Sequence, residues 1–281
     1  MSNRNASRTA LGTAYMRAAH QLFDAKPRIL EDPMALPVLG PDARQHINDT
    51  ADLYRTPEAR ALRAHVVLRS RFAEDRLAAA VARGVTQYVV LGAGFDTFAL
   101  RQPPWAQALK IIEVDHPGTQ GTKRSHLAAA GLAMPANADF ANVDFEHESL
   151  HDGLLKYGIS LHEPTFFSWL GVTMYLTQDA IDAVLRSVAA FAEGSEIVLT
   201  FAQPPQSTAD NSASYYAERA ASIGEPWVSY FEPDALAAKL RGAGFSTVGF
   251  LAPAETDKRY FRQRPADLPL PKRSAIAYAI V

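Results

Sequence analysis

The sequence predicts an α/β protein built on a doubly wound, mostly parallel sheet of seven strands with an antiparallel C-terminal edge. Three observations carry this. Short apolar runs alternate with helical patterns through most of the chain, as βαβ units do. Some runs are apolar at every position, as in Tyr88-Val89-Val90-Leu91, which marks a strand buried on both faces. The last two strand-like segments have no good helix between them. The stretch 254–274 is polar and holds Pro265, Pro269 and Pro271, so the two strands are expected to close the sheet as an antiparallel pair.

The elements follow in order. Residues 9–25 have helical periodicity, with Leu11, Tyr15, Ala18, Ala19 and Leu22 on one face. Pro27, Pro33 and Pro37 interrupt the chain. Residues 60–83 lack Pro and Gly and predict one long helix, which Gly84 stops. Strands are expected at 86–91, 110–115, 137–143, 164–170 and 196–201. Helices are expected at 119–130, ended by Gly131, and at 178–192. The region 203–230 breaks this rhythm with prolines, a polar run and then Tyr215, Tyr216, Trp227 and Tyr230. A helix at 233–240 and strands at 245–251 and 275–281 complete the chain. The whole of 1–281 reads as one domain, with an N-terminal helical segment 1–83 and an inserted lid 203–230.

Composition narrows the function. The 281 residues carry a formal charge of −2, which gives no reason to expect a nucleic-acid partner. Cysteine is absent, excluding disulfides, thiolate metal sites and a Cys nucleophile. No metal site is expected. No apolar stretch approaches the ~20 residues of a membrane helix. Residues 1–23 carry Arg4, Arg8 and Arg17 and no acid. An organelle presequence can look like this, but the plainer reading is a polar tail entering a helix. With no secretory apolar region, the expected location is cytoplasmic.

The chemistry centres on Gly92-Ala93-Gly94 at the end of the first strand, a tight turn expected to lead into the start of a helix. Glycine there lets a backbone turn approach a ligand, because no Cβ intervenes. In a Rossmann-like sheet that ligand lies outside the carboxyl ends of the strands and is nucleotide-like. The dinucleotide fingerprint wants a further Gly or Ala three positions after the second glycine. Thr97 stands there, which points to a cofactor without a pyrophosphate, such as S-adenosylmethionine. An acid about twenty residues past the glycines suits the ribose hydroxyls. Asp115 fits, with Glu113 as its rival, since both point to the same side of a strand. Asp144 and Phe145, after the third strand, suit the adenine amino group and ring.

At these residues the chain resembles the leucine carboxyl methyltransferase family. The resemblance rests on Leu91-Gly92-Ala93-Gly94-Phe95-Asp96-Thr97, Ile112-Glu113-Val114-Asp115-His116-Pro117, Val143-Asp144 and Met174-Tyr175-Leu176. It extends from about residue 17 to residue 201, and is closest to a bacterial branch of S-adenosylmethionine-dependent O-methyltransferases. It implies the class I methyltransferase fold and assigns roles to particular residues. Gly92 would line the methionine part of S-adenosylmethionine, beside Ala93 and Gly94. Asp115 would take the ribose, and Asp144 and Phe145 the adenine. Arg69 matches the arginine that pairs with the methionine carboxylate. Arg17 matches a basic residue on an N-terminal segment that closes over the cofactor. The chain departs from the family at Leu170, where an acid precedes the Gly-Leu-Leu-x-Tyr-Leu pattern; Leu170 offers the cofactor's ammonium group only a backbone carbonyl.

The expected reaction is O-methylation of a small organic acceptor, with S-adenosylhomocysteine as product. A carboxylate acceptor is already ionised at neutral pH and needs no base. A hydroxyl would need one, and His116 is the candidate, against a purely structural turn histidine. Tyr175 either shapes the acceptor pocket or fills core. Tyr215, Tyr216, Trp227 and Tyr230 are expected to wall that pocket, against a small core beneath a loop. A nicotinamide oxidoreductase and a non-catalytic cofactor-binding protein of the same fold are the alternatives.

Overall fold

The computed structural model describes residues 7–204 and 211–281. Arg4 and part of the predicted lid, 205–210, lie outside the described residues. The N-terminal segment is helical: α1 (Arg8–Phe23), α2 (Ala43–Asp49), α3 (Ala51–Arg55) and α4 (Pro57–Ala82). Then follow β1 (Gln87–Leu91), β2 (Lys110–Asp115), α5 (Pro117–Ala129), β3 (Ala138–Asn142), α6 (Leu150–Leu155) and β4 (Thr165–Trp169). The chain continues through α7 (Gln178–Ala189), β5 (Glu196–Thr200), α8 (Asn211–Ser222), α9 (Pro233–Ala243), β6 (Thr247–Phe250), α10 (Pro253–Thr256) and β7 (Ile276–Ile280).

The seven strands form one sheet in the order β3-β2-β1-β4-β5-β7-β6. The pairs among β1 to β5 are parallel, with Val89 opposite Ile112 on one side and Phe167 on the other. β7 runs antiparallel between β5 and β6. The expected antiparallel edge is therefore present, but the last strand to be made lies inside β6 rather than outside it. Strand order reverses between β1 and β4, which opens a crevice at their carboxyl ends.

Alternation along each strand divides the core into two layers. Val89, Leu91, Phe167 and Trp169 face α7 and α9 through Ile181, Leu185, Leu236 and Leu240. Tyr88, Val90, Phe166 and Val198 face α4 through Val67, Leu68, Phe72 and Leu77. Full burial of a side chain such as Phe72 or Leu77 is worth roughly 1.5–3 kcal/mol. α4 begins cleanly because Thr56 Oγ1 accepts the Ala59 N–H at 3.2 Å and Pro57 occupies its first position. It runs until Gly84 turns the chain with φ +103°. Its face toward the crevice then carries polar side chains, among them His65 and Arg69.

Four details differ from the sequence expectation. No α-helix follows the glycine turn; two single 3-10 turns, Phe98–Leu100 and Pro104–Ala106, fill the connection to β2. Pro103 and Pro104 interrupt any longer helix there. α2, α3 and α6 are too short to leave a clear periodic signal. Among the described residues, the predicted lid contains a helix, α8, followed by irregular chain. A helical turn also interrupts 254–274, as α10 and a π-type turn over Asp257–Phe261.

Buried charges tie the N-terminal segment and the glycine turn to this frame. Arg63 on α4 grips Asp24 through Nε at 2.7 Å and Nη2 at 2.8 Å, and His20 Nδ1 lies 2.7 Å from the same carboxylate. Burial works against ionisation of Asp24, but the bonds from His20 and Arg63 outweigh it and hold its pKa below the usual 3.8. On α5, Lys123 Nζ pairs with Glu113 and donates to the Asp96 carbonyl at 2.6 Å. Burial raises Glu113 to about 7, with Lys123 opposing the rise.

Two outcomes follow for stability. Asp24→Asn leaves Arg63 buried without its countercharge and is expected to cost about 3–5 kcal/mol in urea unfolding at pH 7. Because the folded pKa is lowered, that difference should shrink as pH falls below 3.8; a pH-independent difference would contradict the assignment. Glu113 has the opposite sign. Its folded pKa lies above its unfolded value, so its contribution declines as pH rises from 4.5 to about 7. Thermal melts of Glu113→Gln should lose part of the wild-type slope across that window.

Candidate active site

One cleft of about 1710 Å³ lies over the carboxyl ends of β1, β2 and β4. Its floor is Gly92, Ala93 and Gly94. Gly92 has φ +65° and Gly94 φ +54°, a left-handed backbone that other residues enter only with strain. Space is short as well. A Cβ on Gly92 would stand 2.3 Å from Val172 Cγ2, and one on Gly94 would stand 3.2 Å from the Ala10 Cβ. The turn is thus closed on one side by the loop after β4 and on the other by α1.

The turn is held from outside because no helix follows it. Ala93 N–H donates to the Val114 carbonyl at 3.0 Å. Gly94 N–H donates to Asp115 Oδ2 at 2.5 Å, and Asp115 Oδ1 accepts the His116 N–H at 2.7 Å. Arg17 Nη2 donates to the Phe95 carbonyl, and its guanidinium lies 3.7 Å from Asp32 and 3.9 Å from Asp96. Thr97, in place of the fingerprint's glycine or alanine, is fully buried and donates to Asp32 Oδ2 at 2.6 Å.

The structure distinguishes Asp115 from Glu113. Asp115 lines the cleft, and burial raises its pKa against two backbone N–H bonds. Glu113 is buried beneath the turn with Lys123. Asp144 and Phe145 line the same cleft, and Phe145 meets Trp169 edge-on at 6.3 Å. His116 also faces it, but its Nδ1 accepts the Gly118 N–H at 3.1 Å and caps α5. With Nδ1 accepting, the neutral ring carries its proton on Nε2, which lies 3.9 Å from Asp144 Oδ2. That tautomer has no free lone pair to offer as a base.

The arginines differ. Arg17 is nearly buried and committed to the turn. Arg69 lines the cleft beside Gly171, where an added Cβ would stand 2.5 Å from Nη1. Among the described residues Arg69 has no hydrogen-bond or ion-pair partner. Burial lowers its pKa to about 10, with Tyr175 and Asp96 opposing the fall and Arg17 adding to it, so it remains charged at neutral pH. Leu170 also borders the cleft and packs on the apolar layer under α4.

Tyr175, Tyr215, Tyr216 and Trp227 line the outer part. Tyr216 Oη donates to the Glu58 carbonyl at 2.5 Å, and Tyr215 meets its ring edge-on. The Trp227 indole N–H is buried and without a hydrogen-bond partner among the described residues. Tyr230 does not line the cleft; it packs against Trp227 at 6.2 Å, and burial raises its hydroxyl pKa. It lies in irregular chain three residues past Trp227, beyond the run 223–228 that lines the cleft.

Sequence reasoning passed over three residues. His65 lies one helical turn before Arg69 and lines the cleft without a hydrogen-bond partner among the described residues. The i, i+4 spacing on a predicted helix was the available signal. Burial, and next the Arg69 charge, lower its pKa to about 3. Lys123 and Glu225 act through contacts remote in sequence, for which no local pattern exists.

The cleft residues fit an adenosine-type cofactor with an anionic tail. Asp115 and Asp144 stand on one side, and the unpartnered Arg69 guanidinium on the other. Residues 10–189 match the Leucine carboxyl methyltransferase family. A Bacillus subtilis (strain 168) protein named "Putative S-adenosyl-L-methionine-dependent methyltransferase YktD" is 29% identical over 292 residues, covering 95% of each chain. A Mycobacterium marinum protein, named "Putative S-adenosyl-L-methionine-dependent methyltransferase", is 30% identical over 226 residues, covering 77% of this chain and 72% of its own. The crystal structure of a "putative methyltransferase" from Thermobifida fusca YX superposes with a TM-score of 0.55 at 16% identity, covering 95% and 93% of the chains. That likeness concerns the fold. The motif residues, the sheet order and the family match over most of the chain together place this protein in the leucine carboxyl methyltransferase family.

Proposed function

We propose that the protein is an S-adenosylmethionine-dependent O-methyltransferase that methylates the carboxylate of a small organic acceptor. Methyl transfer from S-adenosylmethionine follows from the family and from the names of its relatives. The observation that carries the finer reading is the division of the cleft: among the described residues, a guanidinium without a hydrogen-bond or ion-pair partner at one end, and no cleft histidine that is free to act as a base.

When bound, S-adenosylmethionine supplies an electrophilic methyl group on a sulfonium. The chain's own residues bind, orient and desolvate. Arg69 offers a planar donor pair to the methionine carboxylate. Asp115 keeps lone pairs for ribose hydroxyls beyond the two backbone bonds it accepts. Asp144 and Phe145 border the adenine position. The half of the cleft walled by Tyr175, Tyr215, Tyr216 and Trp227 takes the acceptor, and the Trp227 N–H is a donor for an acceptor oxygen.

The choice of a carboxylate rests on the histidines. His116 spends its lone pair on a helix cap, and His65 is held at about 3. An imidazole that weakly basic cannot take a proton from an unactivated hydroxyl. A carboxylate arrives ionised, so positioning and water exclusion suffice. A dinucleotide is disfavoured, because no α-helix N-terminus follows the glycine turn to receive a pyrophosphate.

Two measurements test this reading. Calorimetry should detect S-adenosylhomocysteine binding. Arg69→Met should weaken it about 10- to 100-fold, the loss of a charge-assisted contact worth about 1.5–3 kcal/mol. Equal affinities would remove Arg69 from the site. Labelled methyl from S-adenosylmethionine, offered to matched panels of aryl and alkyl carboxylic acids and the corresponding alcohols, should enter base-labile esters only. Transfer to the alcohols alone would overturn the carboxylate reading.

A further inference from the structure

We propose that Glu225 is a positioning residue that latches α1 over the cofactor cleft, so that cofactor enters and product leaves only when this latch opens. The proposal rests on the cofactor reading given above. Glu225 follows α8, remote in sequence from α1. Its carboxylate accepts from Ser7 Oγ at 3.0 Å, Arg8 N–H at 2.6 Å, Thr9 N–H at 3.2 Å and the Thr9 hydroxyl. These donors are the first turn of α1 and its capping residue, where backbone N–H groups otherwise lack partners and negative charge is favoured. One carboxylate from a distant segment thus completes the cap of α1.

The latch closes a ring around the cleft. Ala10, one residue beyond the capped turn, lies against Gly94. The Ser7 N–H donates to Thr119 Oγ1 on α5 at 3.2 Å. On the other side of Glu225, the Val228 N–H donates to the Met174 carbonyl at 2.7 Å, and Ser229 Oγ donates to the Leu176 carbonyl at 2.6 Å. The ring therefore runs from the glycine turn through α1 to Glu225 and on to the loop after β4. Ser7, Thr9, Thr13 and Glu225 all line the cleft. The link at Val228 and Ser229 belongs to the loop that borders β4. The link at Glu225 joins two segments that line the cleft, and one side chain carries all four of its bonds. Opening there releases the first turn of α1, while Arg17, further along the helix, still holds the glycine turn through Phe95.

The chemistry predicts which substitutions matter. Oε2 accepts three of the four donors and Oε1 the fourth. A glutamine has one acceptor oxygen, loses the negative charge at the helix N-terminus and turns a donor toward a donor, so Glu225→Gln should weaken the latch in the same direction as Glu225→Ala. Thr9→Val removes only one bond and should have a smaller effect.

The experiment is stopped-flow measurement of S-adenosylhomocysteine dissociation, with hydrogen exchange of α1 amides in the S-adenosylhomocysteine complex. Glu225→Gln and Glu225→Ala should raise the dissociation rate about tenfold and speed exchange in the first turns of α1, with Thr9→Val intermediate. A general loss of stability would instead speed exchange throughout the sheet strands. Unchanged dissociation rates would overturn the proposal. So would faster dissociation with unchanged α1 exchange, which would make Glu225 a direct ligand contact. If the wild-type protein does not bind S-adenosylhomocysteine at all, the cofactor reading fails and the latch with it; if it binds and the variants release it at the wild-type rate, the latch alone fails.

Discussion

The glycine turn after β1 must hold a left-handed backbone at a cleft without a following helix to anchor it. Much of the site is organised by that constraint. A buried or half-buried backbone group needs a partner, and here the partners come from elements distant in sequence. Asp115 takes the Gly94 N–H from the end of β2, Lys123 reaches the Asp96 carbonyl from α5, and Arg17 reaches the Phe95 carbonyl from α1. Thr97 joins the same region to Asp32. The N-terminal helices are thus part of the cleft wall. Without them the turn would lose Arg17, Asp32 and the packing of Ala10 on Gly94.

The same arrangement assigns different work to similar side chains. Arg17 and Arg69 both reach the cleft, yet Arg17 is spent on a carbonyl and two nearby carboxylates, and Arg69 has no hydrogen-bond or ion-pair partner among the described residues. Glu113 and Asp115 sit two residues apart on one strand, yet only Asp115 meets the cleft. In both cases burial sets the division: a buried charge needs a partner inside the protein, and a charge at a cavity can wait for one in a ligand.

The outer part of the cleft is built on another principle. Its aromatic wall supplies area, and the two histidines that line the cleft are withdrawn from base chemistry by a cap and by burial. On the proposed reading, such a site would accelerate transfer by holding an ionised nucleophile in line and excluding water. Its roof is drawn from both ends of the sequence, joining the first turn of α1 to the segment after α8.

The strands, their order of appearance and the long helix before β1 were legible in the sequence because each leaves a local signal: an apolar run, a break, a cap. Gly92, Gly94, Asp115, Asp144 and Phe145 were legible as a cleft for the same reason, since strand ends in a parallel sheet share one edge. The long helix even placed His65 and Arg69 on one face, though only Arg69 was read from it. What sequence could not supply was the outcome of competition for partners. Whether Glu113 or Asp115 meets the ligand depends on Lys123 arriving from α5. Whether His116 is a base or a cap depends on the direction of one ring. Tyr230 turns away where Trp227 faces in, and Glu225 finds its donors at the opposite end of the chain. Local patterns decide which elements form; which side chain remains unpartnered at the cleft is a property of the packed whole, because pairing depends on distances of a few ångströms between segments that sequence alone does not bring together.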